Sequence, residues 1–87
     1  MLIDSHCHLD FPDFADDLPG VIARAQAAGV GRMVTISTRI RHANRYAALA
    51  EAHPEVLFSV GTHPHNAAEE PDVTVAEIVR LSAHPRC

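Results

Sequence analysis

Three times along the chain, a short run of aliphatic and β-branched residues gives way to a longer stretch whose apolar residues recur every three or four positions. This alternation constrains the fold more than any other feature. A strand followed each time by a helix long enough to carry the chain back joins its neighbours as a parallel sheet through right-handed crossovers. The first run is Leu2 to His8, bounded by the turn-rich Asp10-Phe11-Pro12-Asp13. Behind it Leu18, Val21, Ile22, Ala25 and Ala28 fall at helical spacing, with Asp17 placed to cap, Pro19 in the first turn and Gly29 just past the end. The second run, Met33-Val34-Thr35-Ile36-Ser37, is continuous and β-branched, which predicts a strand covered on both faces. Its helix reads from about Arg39 to His53, with Ile40, Ala43, Ala47 and Ala50 on one stripe and Pro54 as the stop. The third strand is expected over Val56 to Gly61. After it, Thr74-Val75-Ala76-Glu77 matches a capping box, and Val75, Ile78 and Val79 continue at helical spacing until His84-Pro85.

Strand starts fall near residues 2, 33 and 56, and a fourth is expected near residue 87. A barrel of eight βα units has a repeat of about 31 residues, and a doubly wound sheet has a similar one. Three parallel strands neither close a barrel nor reach the usual width of a sheet, so the expected architecture is α/β and incomplete. An apolar edge left open after the third strand predicts a chain that is marginal, oligomeric or partly molten on its own. With 87 residues the chain has room for one domain at most and a modest core. The 7 basic residues, all Arg, against 11 acidic ones give a net charge of −4, so the totals do not show the basic footprint of a nucleic-acid binder. No apolar run approaches the roughly 18 residues that cross a bilayer, and the N-terminus lacks a signal-like pattern, so no membrane association and a cytoplasmic location are expected. Cys7 and Cys87 lie at opposite ends with no framework spacing, which predicts reduced thiols.

The chemistry concentrates where strands end. On a regular strand Asp4, His6 and His8 share one face while Ile3, Ser5 and Cys7 share the other. Cα atoms two residues apart on a strand are about 6.6 Å apart, close enough for both imidazoles to reach one divalent ion. Asp10, two residues on, is a candidate further ligand or an acceptor that orients an imidazole, or else a plain turn residue. A second group, Gly61-Thr62-His63-Pro64-His65-Asn66, leaves the third strand and should lie near the first, which makes His63, and less so His65, candidates for contact with a phosphate or other ligand. Arg39, Arg41 and Arg45 form the one local basic cluster and read better as a solvated helix face than as a phosphate site. Cys7 reads as a small buried hydrophobe. No Gly-x-Ser-x-Gly elbow and no phosphate-cradling glycine motif is present.

Taken together, Asp4-Ser5-His6-Cys7-His8-Leu9-Asp10 and Gly61-Thr62-His63-Pro64-His65 resemble the start of a TatD-like metal-dependent hydrolase. The family is one of amidohydrolase-type TIM barrels and includes magnesium-dependent deoxyribonucleases. The resemblance covers all 87 residues. It implies that residues 1–87 are the first three βα units of a TIM (β/α)8 barrel, with the remainder of the barrel absent. It also implies that His6 and His8 ligate one of two divalent ions (Mg, Mn or Zn), that His63 is a substrate-side residue, and that DNA is the substrate. The family's glutamate in a Gly-Glu-x-Gly-Leu-Asp motif, two later histidines and a late aspartate have no counterpart here. The 87-residue chain alone is therefore expected to be inactive and to bind metal weakly. Two other readings fit His-x-His: a phosphatase of the polymerase-and-histidinol-phosphatase type, which the Thr-His-Pro-His loop disfavours, and a small non-catalytic α/β module that binds a metal or a partner.

Overall fold

A computed structural model describes all residues, Met1–Cys87. Strands β1 (Leu2–Cys7), β2 (Val30–Thr35) and β3 (Val56–Phe58) lie in that spatial order in one parallel sheet, each followed by a helix: α1 (Leu18–Ala27), α2 (Ala43–Ala52) and α3 (Val75–Leu81). Short 3-10 turns at Pro12–Phe14, Ile40–His42 and Pro64–Glu69 fill the segments that leave the C-terminal strand ends. Sequential strand order excludes a sheet with β1 between its two successors. The alternation read from the sequence is thus realised as a three-stranded α/β unit.

One face of the sheet holds the core. Met33 on β2 and Val56 and Phe58 on β3 pack with Ile22 of α1, Tyr46 and Ala50 of α2, and Leu9. Between the strands and helices Thr35 is fully buried, and its hydroxyl accepts a hydrogen bond from the Leu9 N–H at 3.1 Å. On the other face Arg32 is exposed and Val34 and Leu57 are half-buried. The second strand is therefore covered on one face rather than both: its apolar run reflects β-branched preference at Val34 as much as burial.

The local signals in the helices are met unevenly. Asp17 makes no capping hydrogen bond through its side chain; instead its carboxylate pairs with Arg24 at 3.2 Å across the first turns of α1. Gly29 takes the left-handed conformation at φ 96° that ends this helix, where a side chain would be strained. Of the capping box before α3 the N-cap half is formed, with Thr74 Oγ1 accepting from the Glu77 N–H at 3.2 Å. Even so, its apolar stripe is left in solvent: Val75 is 77% and Val79 63% exposed.

Strands β2 and β3 both end earlier than their composition suggests, because serine side chains take over from the ladder. The Ser37 N–H donates to Ser59 Oγ at 3.1 Å, and Ser37 Oγ donates to the Gly61 carbonyl at 2.6 Å. The outer edge of β3 is also not an open apolar surface. The Phe58 N–H donates to the Arg86 carbonyl at 3.0 Å, and the Arg86 guanidinium bonds the carbonyls of Pro54 and Val56. The exposed apolar residues sit instead on β1, with Leu2 65% and Ile3 60% exposed, and on α3. No helix is long and apolar enough to cross a membrane, and both cysteines are free.

Candidate metal and phosphate site at the strand ends

The regular alternation expected in the first strand is interrupted. Asp4 pairs with Met33 and Cys7 with Thr35, so β1 spends three residues where β2 spends two, and the extra residue switches faces. Asp4 consequently shares the helix-side cleft with Cys7 and Met33; His8, just past the strand, lines that cleft too, whereas His6 does not. The Asp4 carboxylate accepts the His6 backbone N–H at 3.1 Å and so braces the irregular stretch. Cys7 sits half-buried with its thiol donating to the Val34 carbonyl at 3.4 Å. Burial first, and the Asp4 charge second, push that thiol up to about 11, which keeps it protonated and inert.

Past the irregularity the two histidines come together. Their rings meet edge to face with centroids 5.2 Å apart, and His6 is exposed while His8 is half-buried. His8 Nδ1 lies 3.2 Å from the Ile36 carbonyl oxygen, which accepts only, so Nδ1 carries the proton and the Nε2 lone pair is free. That is the arrangement a metal-ligating imidazole takes, fixed by a backbone acceptor behind it. On its other side the His8 ring stacks on Phe11, centroids 4.6 Å apart and planes within 14°. The donor set fits a divalent ion as a partial site, because two imidazoles are present and no group of three or more His, Cys, Asp or Glu side chains converges anywhere in the chain.

His63 arrives from the other direction. Its backbone N–H donates to the Thr38 carbonyl at 2.8 Å, and its Nδ1 accepts the His65 backbone N–H at 3.1 Å. A backbone amide can only donate, so His63 holds its ring proton on Nε2. The two half-buried imidazoles therefore differ in kind: His8 offers a lone pair and His63 an N–H. Both line one open cleft of about 240 Å³ together with Phe11, Thr38, His65 and Asn66. His6 lies against His8 rather than in the lining of this cleft. Asp10 lines an adjoining cleft instead, its Oδ1 buried without a hydrogen-bond partner.

The loop that carries His63 is anchored by a residue for which the sequence offers no motif. Glu70 is buried; its Oε1 accepts from the Ile40 N–H at 2.7 Å and from Thr62 Oγ1 at 2.8 Å, and its Oε2 accepts from the Arg41 N–H at 2.9 Å. This carboxylate ties the end of β3 to the 3-10 turn that opens α2. The basic cluster is largely neutralised around it. Arg39 pairs with Glu69 at 2.6 Å, and Arg41 with Asp72 at 2.6 Å. The Glu69 hydrogen bond holds Arg39 above its ordinary value, and the same contact holds Glu69 below its own.

A family model described as TatD related DNase matches residues 3–87. A metal-dependent hydrolase of Escherichia coli, YjjV, is 36% identical over 76 residues, covering 87% of this chain and 29% of that protein. A metal-dependent hydrolase of Mycobacterium tuberculosis, TatD, is 37% identical over 87 residues, 98% of this chain and 33% of its own length. A 3'-5' ssDNA/RNA exonuclease of Erwinia tasmaniensis is 35% identical over 86 residues, 98% of this chain and 33% of its length. The chain thus spans about a third of the curated relatives it matches.

Proposed function

This chain belongs to the family of TatD related DNases, and from that premise we propose that its strand-end site is one wall of a metal-dependent centre that hydrolyses phosphodiester bonds in nucleic acid. The three βα units are read as the opening of a (β/α)8 barrel whose other strands supply the remaining ligands. The observation that carries the proposal is the complementary pair of tautomers in one cleft, His8 with a free Nε2 lone pair and His63 with an Nε2–H. His6 and His8 would hold one divalent ion, which supplies positive charge against a phosphodiester oxygen. His63 donates its Nε2–H to a non-bridging oxygen of the same phosphate, and Thr38 and Asn66 line its approach. Glu70 keeps His63 in place by locking Thr62 and the α2 entrance. Naming of one relative as an ssDNA/RNA exonuclease supports single-stranded nucleic acid as the substrate.

The test replaces the matching third of the Erwinia exonuclease with this chain. The chimera is expected to degrade single-stranded DNA, with His6→Ala plus His8→Ala abolishing turnover and His63→Ala lowering it by about 10²-fold. A folded chimera in which the double histidine variant cleaves as fast as the parent would overturn the reading. The 87-residue chain alone is expected to bind Zn²⁺ or Mn²⁺ weakly and to show no turnover.

A further inference from the structure

The cleft that adjoins the candidate site, about 310 Å³, shares Phe11 and Thr38 with it and continues past Arg39, His42 and Arg45 at the start of α2. Three features there are unused by the fold. Arg45 is exposed and pairs with no carboxylate, whereas Arg39 and Arg41 each have one. Asp10 Oδ1 is buried with no donor. Phe11, with the His8 ring stacked on it, is still 40% exposed and lines both clefts.

A cation without a partner, an acceptor without a donor and a partly exposed aromatic ring match three groups that one nucleotide presents together: a phosphate, a hydroxyl or exocyclic amine, and a base ring. We propose that this second cleft binds the nucleotide next to the reacting phosphodiester. Phe11 stacks on its base, Arg45 meets its phosphate, and Asp10 accepts from its sugar hydroxyl or base amine. The proposal rests on the nucleic-acid reading of the site. It adds that the strand runs from the histidine cleft across Phe11 toward the first turn of α2. Stacking on an aromatic side chain tolerates any base, so this subsite would select single-stranded over paired nucleic acid without reading sequence.

The experiment measures binding of fluorescently labelled octathymidylate to the 87-residue chain by anisotropy over a series of low salt concentrations. Phe11→Leu is expected to weaken binding about tenfold. Arg45→Gln is expected to reduce the slope of log affinity against log salt by about 0.7, the loss of one phosphate contact on a single strand. Arg80→Gln, on α3 and away from both clefts, serves as the unchanged reference. Circular dichroism checks that each variant keeps its helices. If the parent chain binds and both cleft variants bind like it, the second subsite is wrong while the nucleic-acid reading stands. Failure of the parent chain to bind at all overturns the second subsite, and cleavage by the chimera then decides the nucleic-acid reading separately.

Discussion

Burial alone would raise the Glu70 carboxylate, and hydrogen bonds from the Arg41 N–H, the Thr62 hydroxyl and the Ile40 N–H reverse that, so the group is held below the usual glutamate value. A depressed carboxylate stabilises the fold fully above its unfolded value, and that contribution is lost as pH falls through the lowered value. The chain should therefore lose stability on the acid side, and Glu70→Gln should flatten that part of the profile. Because the charged acceptor serves buried backbone donors, the substitution is expected to cost about 1–3 kcal/mol at neutral pH. Urea unfolding of both proteins between neutral and acid pH checks this; parallel profiles would show that Glu70 is not the titrating anchor. Individual residues differed in how far the sequence announced them. His6 and His8 stand out because both ligand candidates lie at the end of one short apolar run. The tautomer of His8 does not, because the carbonyl that fixes it belongs to Ile36, a partner across the sheet. Glu70 gave no signal at all: its three donors come from two segments, and only the folded loop brings them to one carboxylate.

Among the elements, the apolar periods of α1 and α3 look alike in sequence, yet only one of them is packed. Ile22 is 2% exposed within the core, whereas Val79 is 63% exposed. Ile22→Ala should therefore cost about 2–5 kcal/mol through lost transfer energy and the cavity left behind. Val79→Ser, by contrast, should change stability by no more than about 0.5 kcal/mol. Thermal and urea melts of the two variants make the comparison, and a Val79→Ser cost similar to that of Ile22→Ala would mean that α3 is packed in solution. Periodicity made the helices, their order and the parallel sheet legible because it depends on the chain's own turn geometry. It says which face of a helix is apolar and not whether anything covers it. The same limit explains Asp4. Period-two alternation put it on the face opposite Cys7, but β1 gains a residue against β2 between Asp4 and Cys7 and brings the two into one cleft, and register is a property of two strands that no single run encodes.

At the level of the whole molecule, only 13 of 87 residues are buried, which leaves little core to hold the sheet against the entropy of the chain. The edge of β3 is occupied by the backbone and guanidinium of Arg86, so the exposure has moved elsewhere than the strand order alone suggests. It lies on β1, whose far edge has no neighbour in the sheet and whose Leu2 and Ile3 face solvent, and on the Val75–Val79 side of α3. A strand that offers both unpaired backbone groups and exposed aliphatic side chains is a template for a second copy. The isolated chain should accordingly self-associate as its concentration rises, seen as an increasing weight-average mass in sedimentation equilibrium. Ile3→Lys should push that equilibrium toward monomer, because it puts a charge on the pairing strand while removing a side chain that is already 60% exposed. Val79→Lys, on a helix with no free backbone edge, should shift it less. Association that Val79→Lys suppresses and Ile3→Lys leaves intact would move the sticky surface to α3. A chain that stays monomeric to millimolar concentration would show that the β1 edge is protected in solution.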